Sequence, residues 1–529
     1  MKKILATFLC LTFLAGMLFA GEQAANNPTG KKSITVEIYD RGNPGGSKPE
    51  ANYWTDFIKK GMMDTYGIEV TFKPVPRWTE VEVLNNLLAA GEAPDICVTY
   101  SKPTIDTYAQ MGGVLDMAPL LKEHKAELPN LWKLLGDQNI YWDKDPKTGK
   151  VYNIEAILVN NMRNSVFVRE DWLKKLNIKE PKNLKEFEAM LVAFKNNAST
   201  LLGKDADKMI PFSVGVDLGW RADPLHTSFV TDSISDKELW IRGFDDRRLT
   251  WPGVKEGYRV INKWYNDGLI WKDFPLYPFG DKTEDNLMKA GYVGAFLGNW
   301  DYPYRDGDNG IHANLKKMSS PDAAYIAVEC FPNNAGKYRK YLSPPVDRKV
   351  FFPATNKDPL SSLYYLEWMA TLENRRYLQI GDQGVHHEVM ADGAIKAKTV
   401  TGEKIMNSPS NIDYTILLNG LDLGDQDLNI KSLALAFSGV EKRYLEQSYK
   451  IMKHDARISP NYNVGIIKAE EGMEAALKEK RNTFLVQAVV APVADFDKIY
   501  DSGMADYLQS GGQAIIDERT NLYKEFFGN

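Results

Sequence analysis

The stretch Gly291-Tyr-Val-Gly-Ala-Phe-Leu-Gly-Asn-Trp-Asp301 decides how this chain is read. Its apolar run is too short for a globular helix and is interrupted by glycines, so residues 292–297 are expected to form a buried strand. That strand would end at Asn299, Trp300 and Asp301, placing one large ring and two polar side chains at its carboxyl end. Open α/β sheets build ligand sites at that edge. Trp300 then has two readings: it closes a core, the usual fate of an isolated tryptophan, or it offers its face to a ligand.

Toward the amino terminus the chain alternates strand and helix. Ile34, Val36 and Ile38 alternate as in a strand, which runs into the glycine-rich loop Tyr39-Asp-Arg-Gly-Asn-Pro-Gly-Gly46. A helix over 50–66 carries Trp54, Phe57, Ile58 and Met62 at helical spacing, with Gly67 placed to stop it. Ile68, Val70 and Phe72 form a second strand, 78–90 a second helix, and Ile96-Cys-Val98 a third strand. This order implies right-handed crossovers and a parallel sheet, with the loops 41–43 and 100–102 on one edge. The glycine-rich loop lacks the Gly-Lys-Ser/Thr of a phosphate cradle.

A second α/β region begins near residue 155. Val166-Phe-Val-Arg-Glu-Asp-Trp-Leu173 reads as a strand running into a helix. Asn183 and Glu186 form a capping box for a helix whose buried face is Leu184, Phe187, Met190, Leu191 and Phe194. Residues 338–345 end in two prolines and suggest a crossing between lobes, while helical patterns recur around 432–450, 465–475 and 501–526. Trp142, Trp240 and Trp264 sit in apolar patterns and read as scaffold.

A chain of 529 residues exceeds what one core usually holds, so two lobes are expected. With 44% hydrophobic and 26% charged residues it fits neither disorder nor a membrane bundle. Its 12 tryptophans and 26 tyrosines suit carbohydrate- and protein-binding surfaces. Lys2 and Lys3, the apolar run 4–19 and Ala20 make residues 1–20 a secretory signal, too short for a comfortable membrane span. Leu14-Ala15-Gly16 is followed by Met17 rather than cysteine, so a free periplasmic or extracellular protein is expected, without a lipid anchor. Cleavage removes two lysines and no acid, taking the net charge from −5 to −7, which offers nothing to nucleic acid. Cys97 and Cys330 read as separately buried thiols or one disulfide, and without a Cys-x-x-Cys pair there is no zinc site.

Leu87-Leu-Ala-Ala-Gly-Glu-Ala-Pro-Asp-Ile96, Gly113-Val-Leu-Asp116, Gly149-Lys-Val-Tyr152, Phe167-Val-Arg-Glu-Asp-Trp-Leu173, Ile210-Pro-Phe212, 294–300 and 381–387 occur in a specific order. In that order the chain resembles the extracellular solute-binding proteins of bacterial ABC importers, in their large oligosaccharide-binding branch. The resemblance implies a type II periplasmic-binding-protein fold: two α/β lobes, each a mainly parallel sheet flanked by helices, with a sugar held between them. It places the first lobe at 31–155 plus 340–400 and the second at 156–339 plus 401–529. It also makes Trp300 a stacking platform and brings Tyr100 and Ser101 to the cleft from the other lobe. Asp301, Arg41, Asn43, Trp220 with Asp217, and His386 with His387 are the remaining candidates for the ligand. The partners it implies are a sugar and membrane permease subunits, for a monomeric, non-catalytic protein with no cofactor.

Relatives that bind acidic oligosaccharides often carry a calcium loop between the capped helix and Ile-Pro-Phe. Here Asp205 and Asp207 remain while most oxygen ligands are missing, so no metal is expected. Two alternatives stay open: a secreted glycoside hydrolase or lyase using a carboxylate pair such as Glu155 and Asp217, and a receptor that presents its ligand to a membrane sensor. The chain has no Gly-x-Ser-x-Gly elbow and no His-Glu-x-x-His helix.

Overall fold

The structure, a computed structural model, describes residues 32–42, 47–278, 280–305, 307–437 and 440–528. The expected leader and Asn43 lie outside the described residues. The strands in chain order are β1 (Lys32–Asp40), β2 (Ile68–Pro76), β3 (Cys97–Thr99), β4 (Ile154–Leu158), β5 (Asn164–Arg169), β6 (Ile210–Ser213), β7 (Val293–Asn299), β8 (Tyr325–Val328), β9 (Lys340–Leu342), β10 (Val346–Phe351), β11 (His387–Val389), β12 (Ile395–Ala397), β13 (Leu418–Asn419) and β14 (Ala456–Ile458).

The alternating Ile34, Val36 and Ile38 bury one face of β1, which pairs in parallel with β2. A bridge between Val36 and Ile96 joins this pair to the four-stranded sheet β13-β4-β10-β3. In this sheet β10 runs against its neighbours β3 and β4, while β13 is parallel to β4. The helix Tyr53–Tyr66 lies over the first core with Trp54, Ile58 and Met62 buried. It begins at Asn52, whose side chain accepts from the Trp54 and Thr55 N–H groups, and ends at Gly67, whose φ of 65° stops it.

The second lobe holds the sheet β6-β7-β5-β8. Here β6 is parallel to β7 but β5 runs against both β7 and β8, so the sheet is mixed rather than mainly parallel. The apolar run of the opening stretch becomes β7, buried along its length. Gly294 interrupts it because a Cβ there would stand 2.7 Å from Phe194, 2.8 Å from Trp172 and 2.9 Å from the Pro211 carbonyl. The capped helix Leu184–Asn196 supplies Phe194 and buries Phe187, Met190 and Leu191 as its spacing requires.

The segments 159–163, 343–345 and 420–425 each join residues of the first core to residues of the second. These segments brace one another: Leu158 N–H donates to Pro345 O at 3.0 Å, Val159 N–H to Asn419 O at 3.0 Å, and the Asn161 amide to Ser343 O at 2.7 Å. Two lobe boundaries therefore differ from those expected. Tyr341 belongs to the second core and β9 pairs with β14, whereas Tyr414, Ile416 and Leu417 belong to the first core. The segment 401–417 is held there by Trp54, whose Nε1 donates to Ile405 O at 2.8 Å, and by a 2.6 Å bond between Asn52 and the Tyr414 hydroxyl. Cys97 and Cys330 are free, buried thiols in separate cores.

Candidate ligand-binding cleft

The topology turns both carboxyl edges toward the crossings. In the first lobe β4 and β13 end where the chain leaves for the second, and the parallel strands β1, β2 and β3 end on the same edge. In the second, Asn299 at the end of β7 pairs with Asn164 at the start of β5, just after the first crossing. Contact between lobes occurs at this edge: Lys102, Asp106 and Asp143 share a pocket of about 110 Å³ with Asn463, Glu470 and Arg519. The Asn463 amide donates to the Trp142 carbonyl at 3.1 Å and the Lys144 carbonyl at 2.7 Å.

The first wall is built from the residues that follow β1, β2 and β3. Arg41 forks onto Asp413, Nε and a terminal nitrogen reaching its two oxygens at 2.7 and 2.8 Å. Burial works to lower the Arg41 pKa, but Asp413 more than compensates and holds it above the ordinary value. Arg77 follows Pro76, and its guanidinium lies 4.1 Å from the ring centre of Tyr100 and 5.2 Å from that of Tyr39. The rings of Tyr39 and Tyr100 are stacked at 6.2 Å. Burial raises the pKa of the half-buried Tyr100 phenol. Trp78, next along the chain, is 76% exposed with Arg41 5.9 Å from its ring centre. The sequence pattern makes Trp78 the start of a helix; in the structure it stands in a turn beyond a parallel strand, as Arg41 and Tyr100 do.

The second wall is a pocket of about 250 Å³ at the ends of β6 and β7, lined among others by Asp217, Trp220, Trp271, Tyr277, Asn299 and Tyr302. Trp271 and Tyr277 stack at 5.2 Å, and the Tyr302 hydroxyl donates to Asp285 at 2.6 Å. Arg221 forks onto Glu284 at 2.9 and 2.8 Å. Of the residues expected at the ligand, Asp217 and Trp220 line this pocket, together with Trp271, Tyr277 and Tyr302, which were not among them.

Several expected site residues do other work. Trp300 is 5% exposed in the second core, its N–H donating to Arg163 O at 3.0 Å and its ring edge-on to Tyr449. Neither ring face is open, because consecutive side chains at a strand end point opposite ways and Asn299 takes the pocket side. Asp301 is buried and pairs with Arg305 at 2.9 Å. Ser101 is buried and caps the helix Lys102–Gln110.

His386 and His387 are buried in the first lobe. His386 Nδ1 accepts the Asp382 N–H at 2.9 Å, Nε2 lies 3.0 Å from Lys404 O, and the ring packs 4.9 Å from Trp54. His387 Nδ1 lies 2.8 Å from Ile380 O, so both rings fasten a turn. Asp217 lies in the pocket but is forked by Arg247 at 3.2 and 2.8 Å. Glu155 is on β4 of the other lobe, 3.2 Å from Lys349. Asp205 pairs with Lys208 at 2.7 Å, and no group of three or more His, Cys, Asp or Glu among the described residues is arranged to hold a metal.

Residues 55–382 match the family model described as bacterial extracellular solute-binding protein, and the chain belongs to that family of exported proteins. It is 25% identical over 286 residues to Lipoprotein LipO of Bacillus subtilis (strain 168), a match covering 52% of this chain and 53% of LipO, so it spans about half of that relative. It is 21% identical over 488 residues to the polygalacturonan/rhamnogalacturonan-binding protein YtcQ of the same organism, covering 85% of this chain and 84% of YtcQ. Among solved structures, the S. pneumoniae ABC-transporter substrate-binding protein FusA in complex with kestose shares the fold with a TM-score of 0.65 at 16% identity, covering 94% of this chain and 99% of that one. The two-lobe periplasmic-binding-protein fold is thereby established. No helix among the described residues is long and apolar enough to cross a membrane.

Proposed function

We propose that the protein captures an oligosaccharide between its lobes and delivers it to the permease of an ABC importer, without chemical change to the sugar. The observation that carries this reading is Trp78. A large ring left 76% exposed at the carboxyl edge of parallel strands, beside Tyr100 and Arg41, is a stacking surface awaiting the apolar face of a sugar ring. Across the cleft, Trp220 and Tyr302 add rings, while Asn299, Asp217 held by Arg247, and Arg221 held by Glu284 offer fixed donors and acceptors for hydroxyls. YtcQ and FusA, by name and by bound ligand, are carbohydrate-binding proteins, which supports the class.

Closure would bend the crossings at 159–163, 343–345 and 420–425, and the permease would recognise the closed form of a monomer. Residues 1–20 would direct export, with Met17 where a lipid anchor needs cysteine. The test is a glycan panel read by melting shift and by product analysis. A shift with intact glycan is the expected result; absence of any shift, or turnover of the glycan, would refute this reading.

A further inference from the structure

Arg77 stands apart from the other cations of the first wall. Arg41 is forked by Asp413, Lys102 reaches Asp106 at 2.7 Å, and Lys349 reaches Glu155 at 3.2 Å. Arg348 directs its terminal nitrogens at the carbonyls of Ile412, Thr415 and Leu418. Among the described residues Arg77 has no carboxylate within ion-pairing distance, and its Nε is enclosed without a hydrogen-bond partner.

Three rings hold its guanidinium in place: Tyr100 at 4.1 Å, Tyr39 at 5.2 Å and Trp78 at 5.4 Å. Aromatic faces attract the cation but accept no fork of hydrogen bonds, so the donor edges remain unused. The neighbouring carboxyl, Glu80, is buried and accepts from the Tyr100 N–H and the Thr99 hydroxyl, each at 3.3 Å. Burial raises its pKa, opposed by those two bonds and by the charge of Arg77 itself, but no direct ion pair joins the two side chains. A guanidinium enclosed further by lobe closure would be costly unless an anion arrived with the ligand.

We infer that the oligosaccharide is acidic, and that a uronic acid unit stacks its ring on Trp78 while Arg77 forks its carboxylate. This rests on the sugar-binding reading above. One uronic acid residue presents both features at adjacent positions, an apolar ring face and a planar carboxylate, matching consecutive residues of the chain. A guanidinium is the side chain suited to that planar anion. In the opposite pocket Asp217, Asp281, Glu284 and Asp285 outnumber Arg221 and Lys282, a balance that would favour neutral units at the other end of the ligand.

The experiment is calorimetric titration of the purified protein and of Arg77→Gln and Arg77→Lys. The probes are oligosaccharides of galacturonate, glucuronate and mannuronate, and each one's carboxyl-reduced counterpart. At least one acidic probe should bind roughly tenfold tighter than its reduced form, a preference lost in Arg77→Gln, largely kept in Arg77→Lys, and weakened by salt. Circular dichroism should show both variants folded. Binding of reduced or other neutral glycans in preference to acidic ones, or an unchanged acid preference in Arg77→Gln, would overturn the inference while leaving the sugar cleft intact. Absence of binding by every glycan, acidic and neutral, would overturn both.

Discussion

Arg41 and Asp413, far apart in the chain, meet in a two-pronged ion pair with contacts of 2.7 and 2.8 Å. The pair ties the carboxyl end of β1 to the segment that precedes the third crossing, so it fixes one cleft side chain and one lobe boundary together. The Asp413 side chain is fully enclosed and that of Arg41 is 18% exposed. Replacing Asp413 with Asn should therefore cost about 2–3 kcal/mol of stability, because Arg41 is left partly buried without its counter-charge. Urea unfolding would measure it; a change below about 0.5 kcal/mol would show that the pair contributes no more than an exposed one.

Trp300 should behave as a core residue. Trp300→Ala is expected to destabilise the protein by about 3–5 kcal/mol, the range for emptying a buried aromatic site. Equilibrium unfolding gives the number, and a variant as stable as the parent would mean that the ring is not packed as described.

Glu37 makes stability depend on pH. It is 1% exposed on β1; Oε2 accepts the Val98 N–H at 2.9 Å and Oε1 has no partner. Burial, opposed by that bond and reinforced by Glu80, raises its pKa from 4.5 to about 8. The unfolded chain therefore loses this proton first as pH rises. The contribution to stability is full below pH 4.5 and is lost as pH climbs through about 8. Glu37→Gln should gain on the parent across that window, by an amount on the order of a few kcal/mol. Melting curves at the two ends of the window test this, and an equal difference between variant and parent at both ends would contradict it.

Much of the fold was legible because its determinants are local. The stop at Gly67 ends one helix, and Asn183 with Glu186 starts another. Gly294 marked a close approach that the packing of Phe194 and Trp172 confirms. Non-local pairing was not legible. The reversed direction of β5 and the place of 401–417 depend on partners distant in sequence, such as Trp54 with Ile405.

The site shows the same division. Trp78 and Trp300 both follow strands, and nothing in their immediate neighbours separates them. Pro76 ends β2 and the turn Arg77–Thr79 carries Trp78 outward, while a bond from the Trp300 N–H to Arg163 O leaves that ring in the core. His386 and His387 form a conspicuous pair in the sequence, but a turn rich in glycine also needs internal fasteners. Gly381, with φ of 66°, leaves room for the His386 ring where a Cβ would stand 2.4 Å from it.

A cleft that holds its oligosaccharide against the exposed ring of Trp78 should lose affinity when that ring is removed. Titration of a glycan that shifts the melting point, into the parent protein and into Trp78→Ala, tests it most directly. The variant should lose no more than about 1 kcal/mol of stability, the scale of the exposed contacts its ring makes with Arg41 and Arg77, and bind about 1–2 kcal/mol more weakly. Equal affinity in both proteins would contradict it.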